Sequence, residues 1–233
     1  MARLIAALIR HGDYHQLPDT PSAHQPFPLT DRGFEQADKA AANMAQVLAE
    51  QGWVPDYRVD SSRLLRAWQT ADRFRAALAP LFVREPEQQG YSALAERGVG
   101  SAANLTIDQI EAILEQDPRF DAPPSDWKSN SHYRLPLQGA ESLMDAGERV
   151  ARHIELQMIT MEPSDTDRVR LFVGHGAAFR HAAYKLGVLE FDQIAALSMY
   201  HAEPVYIEML EGGRWKHVAG DWKVRGKRDA YVD

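Results

Sequence analysis

Two short apolar runs of the chain each end at a histidine that is followed by glycine. Residues 4–9 read Leu-Ile-Ala-Ala-Leu-Ile and lead into Arg10-His11-Gly12, and residues 169–173 lead into Gly174-His175-Gly176. An apolar run of this length, closed by glycine, predicts a buried strand. Open α/β proteins bind their ligands at the carboxyl ends of such strands, so both histidines are expected at a ligand-binding edge.

Amphipathic and alternating patterns predict the remaining elements of the chain. The predicted helices span 30–51, with Thr30 as a candidate N-cap, and 63–79, 106–116, 142–161 and 177–186. The further predicted strands span 57–59, 81–84, 194–199, 205–210 and 215–219, with Gly212-Gly213 as a hairpin turn before the last of them. Strands that alternate with helices in this way predict an α/β domain.

One stretch, residues 85–138, interrupts the alternation. After the helix at 106–116 it contains Asp117-Pro118 and Pro123-Pro124-Ser125, which predict loops. Long excursions from a domain are usually functional, so we interpret the stretch as a lid or specificity insertion, with a plain surface insertion as the alternative. Residues 222–233 contain a basic cluster and are expected to form a flexible tail, or else to fold over the mouth of the site.

Composition restricts the class of protein and its partners. The chain has 233 residues, 45% of them hydrophobic, which suits a single domain over residues 1–233. Cysteine is absent, which excludes disulfides and cysteine-based phosphatase chemistry. A net charge of −7 argues against a nucleic-acid partner, and no apolar run approaches the roughly 20 residues of a membrane span. The N-terminal apolar run is too short for a signal peptide, so a cytoplasmic protein is expected, and a homodimer is compatible with the composition.

Paired histidines with nearby arginines suit phosphoryl transfer through a phosphohistidine. A neutral imidazole is a competent nucleophile near neutral pH because its ordinary pKa is roughly 6.5. The transferred group carries about two negative charges at pH 7, so the site needs cations with several donors. Arg10 adjoins His11, and Arg66 follows Ser61-Ser62 at the start of a predicted helix. Guanidinium forks match phosphate oxygens in pairs, which makes both arginines candidate phosphate ligands.

Six elements, in chain order, carry a resemblance to a known family. They are Leu8-Ile9-Arg10-His11-Gly12; Leu29-Thr30-Asp31-Arg32-Gly33 with Gln36-Ala37; Ser61-Ser62 with Arg66-Ala67 and Thr70-Ala71; Leu94-Ala95-Glu96-Arg97; Gly139-Ala140-Glu141-Ser142; and Val173-Gly174-His175-Gly176. With these elements the sequence resembles the histidine phosphatase superfamily, also called the phosphoglycerate mutase-like family, from residue 4 to about residue 210. The resemblance implies a three-layer α/β/α sandwich with a mostly parallel central sheet and an insertion over the active site.

The resemblance also implies a role for each matching residue. His11 corresponds to the phosphorylated nucleophile, and Arg10, Arg66 and His175 to the groups that bind the phosphoryl oxygens and stabilise charge during transfer. Glu96 falls at the family's proton donor, a role for which a carboxyl group must be protonated, as nearby phosphate charge and partial burial favour. The backbone N–H groups of Gly176 and Ala177 open a predicted helix and are expected to face the same anion. Neither a metal nor another cofactor is implied.

The sequence departs from the family pattern at two places. Many members have an asparagine shortly after the first glycine, where this chain reads Asp13-Tyr14-His15-Gln16-Leu17. Either His15 or Gln16 replaces that phosphate contact, or Asp13 and Tyr14 shape the mouth, and the sequence leaves these alternatives open. Mutases have a lysine soon after the Glu-Arg pair, whereas this chain has none between Arg97 and Lys128. The phosphatase branch is therefore expected.

These observations predict a phosphomonoester hydrolase that acts on a phosphorylated small molecule or a phosphoprotein, carrying phosphohistidine or phosphoserine/threonine. A mutase with the same first step is the nearest alternative, and Asp13 and Glu141 compete with Glu96 as proton donor. A metallophosphoesterase would use Asp13 and His15 with His175 and His181, but its Asn-His pair and second Asp-rich element are missing. A catalytically inactive phosphate-binding protein is disfavoured because it need not retain both a nucleophile and an acid.

Overall fold

A six-stranded sheet forms the centre of the protein. The structure is a computed structural model, in which residues 2–21 and 24–226 are described. The strands in these described residues are β1 (Leu4–Arg10), β2 (Val54–Ser62), β3 (Glu87–Tyr91), β4 (Arg168–Gly174), β5 (Leu197–Ser198), β6 (Pro204–Met209), β7 (Trp215–Ala219) and β8 (Lys223–Val224). The central sheet has the order β3-β2-β4-β1-β6-β7, with β1 to β4 parallel and β6 and β7 antiparallel. Strands β5 and β8 pair separately.

Helices cover both faces of this sheet. They are α1 (Asp31–Gln51), α2 (Leu65–Ala77), α3 (Ile107–Gln116), α4 (Leu143–Ile159), α5 (Gly176–Lys185) and α6 (Phe191–Ala196). Successive side chains of a strand point to opposite faces. Ile5, Ala7 and Ile9 accordingly pack with α1 and α2, whereas Ala6 and Leu8 pack with α4 and α5. The predicted three-layer α/β/α sandwich with a mostly parallel sheet is confirmed.

The register between β1 and β4 places the two histidine motifs side by side. Arg10 is the register partner of Gly174, and the His11 N–H donates to the Gly174 carbonyl oxygen at 3.0 Å. Since the strands are parallel and end level, His11 and His175 leave the sheet at the same carboxyl edge.

The loop after β1 is locked against the start of α1. Thr30 caps the helix, as predicted, by accepting a hydrogen bond from the Gly33 N–H, a contact worth about 1 kcal/mol. A Cβ on Gly12 would lie 2.5 Å from the Gly33 carbonyl oxygen, and a Cβ on Gly33 would lie 2.0 Å from the Asp13 carbonyl oxygen. Both glycines are therefore required by close backbone approach, which keeps His11 at a defined position.

The prediction of a strand at residues 81–84 is wrong. A 3-10 turn, Ala79–Leu81, occupies the start of this apolar stretch, where Phe82 packs into the core and Val83 is exposed. The strand lies later, as β3, whose sequence Glu-Gln-Gln-Gly-Tyr is polar. As an edge strand that pairs only with β2 in the sheet, β3 has little apolar surface to bury, so its sequence lacks a strand pattern.

The prediction of a strand over residues 194–199 is mostly wrong. Helix α6 ends at Ala196, and only Leu197 and Ser198 are extended. Glu190 and Gln193 form a capping box at the start of α6, with each side chain bonded to the backbone of the other residue. This helix-start signal outweighs the apolar pattern that follows it.

The excursion at 85–138 is a folded unit and not an unstructured insertion. Its beginning joins the central sheet as β3, so the predicted lower boundary at residue 85 is wrong. Its later part contains α3, as predicted, and has a small hydrophobic cluster of its own, formed by Val99, Ala102, Ile110, Leu114, Trp127, Leu135 and Ala140. This cluster gives the segment its own core above the carboxyl edge of the sheet.

The predicted flexible tail begins with a paired strand. Lys223 of β8 pairs with Ser198 of β5, and the Arg225 N–H donates to the Ala196 carbonyl oxygen at 2.9 Å. The tail prediction is therefore wrong for residues 222–226, while residues 227–233 lie outside the described residues. Of the helices in the described part of the chain, none has the length and apolar character that crossing a membrane requires.

Candidate active site

His11 lies at the end of β1 with its buried ring held in one neutral tautomer. Its Nδ1 donates to the Gly12 carbonyl oxygen at 2.7 Å, and Arg66 Nε donates to its Nε2 at 3.1 Å. Burial, followed by the charges of Arg66 and Arg10, holds the pKa of His11 well below its ordinary value. Nε2 is therefore unprotonated, and its lone pair, which a nucleophile requires, accepts the hydrogen bond from Arg66.

Arg66 connects the two histidines from the first turn of α2. Its buried guanidinium donates to His11 and, through Nη2, to His175 Nδ1 at 3.3 Å, while Nη1 donates to the Gln25 carbonyl oxygen at 3.0 Å. The Tyr14 ring lies 4.2 Å from the guanidinium carbon in a cation–π contact. Burial lowers the pKa of Arg66, but a guanidinium stays protonated in proteins, so this side chain is a fixed positive charge.

His175 is held in the opposite tautomer. Because Arg66 donates to Nδ1, the proton lies on Nε2, which donates to Ser62 Oγ at 3.0 Å. Burial and the Arg66 charge keep the pKa of His175 well below its ordinary value. The His11 and His175 ring centroids are 5.1 Å apart, so the two predicted site histidines meet as expected from the strand ends.

Arg10 lines the same cavity as His11. Its Nη1 donates to the Met199 carbonyl oxygen at 3.1 Å, and its side chain crosses Gly176, where a Cβ would lie 3.1 Å from Arg10 Cδ. A cavity of about 40 Å³ is lined by Gly176 and by all the predicted catalytic side chains, which are Arg10, His11, Arg66, Glu96 and His175. Two arginines so close together create a local positive field in a protein of net charge −7.

Glu96 is buried at the rim of this cavity. Its Oε1 accepts from the Arg97 N–H at 2.9 Å, and its Oε2 accepts from the Ala177 N–H at 3.1 Å. The Ala177 N–H, expected to face phosphate, thus donates to the carboxylate instead. His24 Nε2 bonds to the Glu96 carbonyl oxygen at 2.9 Å, so both ends of the residue are held.

The two competing carboxylates make structural contacts. Asp13 lines the small cavity, but its Oδ2 accepts from Thr30 Oγ1 at 2.9 Å, beside the α1 cap. Glu141 bonds to Arg149 and to the Gly98 N–H. Burial acts to raise the pKa of Glu141, but these hydrogen bonds outweigh it and the pKa lies below its ordinary value. Of these three carboxylates in the described residues, Glu96 and Asp13 line the small cavity and Glu141 does not.

The candidates for the missing asparagine separate in the structure. Gln16, Tyr14 and Asp13 line the small cavity, whereas His15 is exposed and is not among the described residues that line it. Tyr14 lies edge-on to His11 with ring centroids 5.2 Å apart, so it shapes the mouth directly.

The residues of the alternative metal site do not come together. His181 donates through Nδ1 to the Ala177 carbonyl oxygen at 2.7 Å, and its Nε2 lies 3.1 Å from Ser131 Oγ, so both ring nitrogens have partners. Within residues 2–21 and 24–226, no group of three or more His, Asp or Glu side chains is placed to hold a metal ion.

His201 is a site residue that the sequence reasoning missed. Its ring stacks on His11 with centroids 6.0 Å apart and planes 25° from parallel. The next residue, Ala202, adopts a positive φ of 62°, and its N–H donates to the Arg10 carbonyl oxygen at 2.8 Å. This turn precedes β6, so His201 reaches the site because β6 pairs with β1, a pairing that no local pattern signals.

Comparison with known proteins identifies the family. The model of the histidine phosphatase superfamily (branch 1) matches residues 6–221. The chain belongs to this superfamily. The expectation drawn from the six sequence elements is therefore confirmed. One cavity of this superfamily member is lined by Arg10, His11, Arg66, Glu96 and His175.

Solved structures support the fold assignment. The chain is similar to a mycobacterial glucosyl-3-phosphoglycerate phosphatase, with 22% identity, a TM-score of 0.65 and coverage of 97% of this chain and 99% of the other. A phosphoserine phosphatase from Entamoeba histolytica, in complex with 3-phosphoglyceric acid, is 16% identical, with a TM-score of 0.63 and coverage of 97% and 98%. A protein described as mycobacterial hydrolase 2 is 20% identical, with a TM-score of 0.68 and coverage of 99% and 96%. None of the curated proteins matches the chain significantly.

Proposed function

We propose that this superfamily member is a metal-independent phosphomonoester hydrolase that forms a phosphohistidine on His11. The observation that supports the proposal best is the neutral His11 ring, whose Nδ1 is bonded to Gly12 while Nε2 faces the donor Arg66. A nucleophile and a permanent cation thus lie 3.1 Å apart in a buried cavity. When Arg66 binds phosphate oxygens, its N–H groups would donate to those oxygens in place of His11 Nε2, whose lone pair would then be available for attack.

The proposed reaction has two steps. In the first, His11 Nε2 forms a bond to phosphorus as the bond from phosphorus to the leaving oxygen breaks, and Glu96 gives that oxygen a proton. In the second, water attacks phosphorus, passes a proton to Glu96, and the phosphorus–nitrogen bond breaks to release phosphate and neutral His11. Arg10 and Arg66 stabilise the charge on the phosphoryl oxygens throughout, and His175 fixes the Arg66 fork.

Trapping the intermediate tests this mechanism. Wild-type protein, mixed briefly with a phosphomonoester and quenched, is expected to contain an acid-labile, base-stable phosphoryl group on His11, located by peptide mass spectrometry. His11→Ala is expected to abolish turnover, whereas His217→Gln on exposed β7 is a histidine control that keeps it. Full activity in His11→Ala, or an adduct on another residue, contradicts the proposal.

Chelation, vanadate and product analysis distinguish the alternatives. We expect activity to survive EDTA and to be inhibited by vanadate, which adopts the five-coordinate geometry of in-line transfer. Loss of activity on chelation, with activity restored by a divalent ion, would support a metallophosphoesterase. Transfer of labelled phosphoryl groups to a second substrate hydroxyl would support the mutase, and phosphate binding without turnover would support an inactive binding protein.

The substrate proposed is a phosphorylated small molecule. A second cavity of about 1140 Å³ adjoins the small one and offers room for an organic group of substantial size. A panel of phosphorylated metabolites and of peptides carrying phosphohistidine, phosphoserine or phosphothreonine, ranked by kcat/KM, checks this choice. Higher kcat/KM for the peptides would indicate a protein phosphatase.

A further inference from the structure

The turn between β5 and β6 carries His201 into the small cavity. This turn is bonded to Arg10 on both sides of His201. Before it, the Met199 carbonyl oxygen accepts from Arg10 Nη1 at 3.1 Å, and after it, the Ala202 N–H donates to the Arg10 carbonyl oxygen at 2.8 Å. Ala202 is fully buried and has a positive φ of 62°, which residues with a Cβ rarely adopt. The backbone on both sides of His201 is therefore fixed to the strand that carries the nucleophile.

The His201 ring lies beside the His11 ring without covering it. The two centroids are 6.0 Å apart and the planes are 25° from parallel, which is the geometry of an offset stack. His201 also lines the small cavity together with His11, Arg10 and Arg66. The imidazole of His201 therefore borders the space that a phosphoryl group on His11 would occupy.

A phosphoryl group in this cavity needs more donors than the two arginines. It has three oxygens that share about two negative charges at pH 7, and these charges grow no smaller during transfer. His175 has no N–H to offer in its observed tautomer, because Nδ1 accepts from Arg66 and the Nε2–H donates to Ser62 Oγ. The Ala177 N–H donates to Glu96 Oε2 at 3.1 Å. Two groups that flank the cavity are thus already engaged with protein acceptors.

Three further side chains with N–H or O–H groups line the cavity within the described part of the chain. They are Tyr14, Gln16 and His201. Gln16 is exposed in the loop after β1, and the Tyr14 ring lies against the Arg66 guanidinium at 4.2 Å. His201 alone of the three sits on a turn bonded twice to Arg10, so it is the donor that the fold positions best.

We propose that His201 is a third phosphoryl-binding residue, whose imidazole N–H donates to an oxygen of the group transferred to His11. The proposal rests on the proposed hydrolase function and adds a residue to its phosphate site. Both protonation states of His201 can serve, since a neutral imidazole has one N–H and the cation has two.

Two substitutions separate the N–H donor from the ring. His201→Gln keeps an N–H donor and loses the ring, whereas His201→Phe keeps a ring that can stack and has no donor. Inorganic phosphate is titrated calorimetrically into each variant, and inhibition by vanadate is measured alongside. We expect His201→Phe to bind both anions about 10-fold to 100-fold more weakly than the wild type, the scale for losing one charge-assisted hydrogen bond. His201→Gln is expected to retain most of the affinity.

A role in packing gives a different order of affinities. If the ring were what matters, His201→Phe would bind phosphate as the wild type does and His201→Gln would bind it weakly. That result, equal weakening in both variants, or no change in either overturns the proposal. His217→Phe on exposed β7 is the matched control and should bind both anions normally, and urea unfolding shows whether each variant keeps its fold.

The other lining side chains are tested in the same titrations. Gln16→Ala and Tyr14→Phe each remove one rival donor. Weakened phosphate binding in either of them, together with normal binding in His201→Phe, would assign the third contact to that residue and overturn the proposal for His201.

Turnover separates this proposal from the one on which it rests. If phosphomonoesters are hydrolysed through an adduct on His11 and His201→Phe binds phosphate normally, the His201 contact is wrong and the hydrolase stands. If phosphate binding follows the expected order and no ester is hydrolysed, the contact stands and the hydrolase is wrong.

Discussion

Glu141 and Arg149 form a two-point ion pair behind the segment that carries Glu96. Arg149 Nε donates to Glu141 Oε1 at 2.9 Å and Nη2 to Oε2 at 2.7 Å. Arg149 Nη1 also donates to the carbonyl oxygens of Ala93 and Ala95 at 2.8 and 2.9 Å, before Glu96, and Glu141 accepts the Gly98 N–H after it. The pair therefore holds the segment on both sides of the proposed proton donor.

Arg149→Gln is expected to act through Glu96. Loss of the pair frees the segment, so kcat on an alkyl phosphate should fall on the order of 10-fold to 100-fold, since small misplacements of a catalytic group cost this much. A nitrophenyl phosphate needs less protonation of its leaving group and should lose less. Arg152→Gln, on the exposed side of the same helix, is the matched control. Equal losses on both substrates would mean that Arg149 supports the fold and not the proton donor.

Glu96→Gln tests the proton donor directly. An alkyl phosphate, whose leaving alkoxide has a pKa of roughly 15, should lose about 10² to 10⁴-fold in rate, the usual range for general acid catalysis. A nitrophenyl phosphate should lose far less. The glutamine amide also places an N–H against the backbone N–H of Arg97 or of Ala177. This structural cost is the same for both substrates, so the measurement is the ratio of the rate loss on the alkyl phosphate to the rate loss on the nitrophenyl phosphate. A ratio near one would mean that Glu96 is not the proton donor, and Asp13 and Glu141 would then be tested in the same way.

Arg66→Lys should lower kcat about 10² to 10³-fold, the scale for losing a preorganised transition-state donor. A lysine has one point charge and cannot reach His11 Nε2, His175 Nδ1 and the Gln25 carbonyl oxygen together. Arg63→Lys, at an exposed position on the same segment, is the control. Steady-state kinetics separate the outcomes, because an increase in KM alone would show that Arg66 binds substrate without stabilising transfer.

Stability should fall on acidification because of the buried histidines. Burial, chiefly, lowers the pKa of His181 from 6.5 to about 4 and holds those of His11 and His175 well below 6.5. Below about pH 6.5 the unfolded chain therefore binds more protons than the folded one, so the free energy of unfolding decreases as the pH falls. For His181 alone this decrease is about 3 kcal/mol between pH 6.5 and pH 4.

Urea unfolding across this pH range measures the effect. His181→Gln should be less stable than the wild type at pH 7, because it disturbs the contacts with Ala177 and Ser131, and it should lose less stability on acidification. His217→Gln on exposed β7 is the histidine control. A profile in His181→Gln as steep as that of the wild type would refute the assignment.

Much of the site follows from local sequence. An apolar strand that ends in Arg10-His11-Gly12 and another that ends in Gly174-His175-Gly176 direct both histidines to one edge, because parallel strands present their carboxyl ends together. The caps that start α1, α3 and α4 are likewise local, since Thr30, Thr106 and Ser142 bond within a few residues of themselves. The superfamily and the fold class were thus predictable, and so was the meeting of Arg10, His11, Arg66, Glu96 and His175 around one cavity.

Other features depend on contacts between distant parts of the chain. His201 meets His11 because β6 pairs with β1, and Arg149 reaches the Glu96 segment from α4. Edge strand β3 is polar, so its place in the sheet is set by pairing with β2 and not by its own pattern. Sequence determined what is encoded within one strand or helix turn, and tertiary structure decided the pairings, because hydrogen bonds and burial between distant segments leave no periodic trace in either segment.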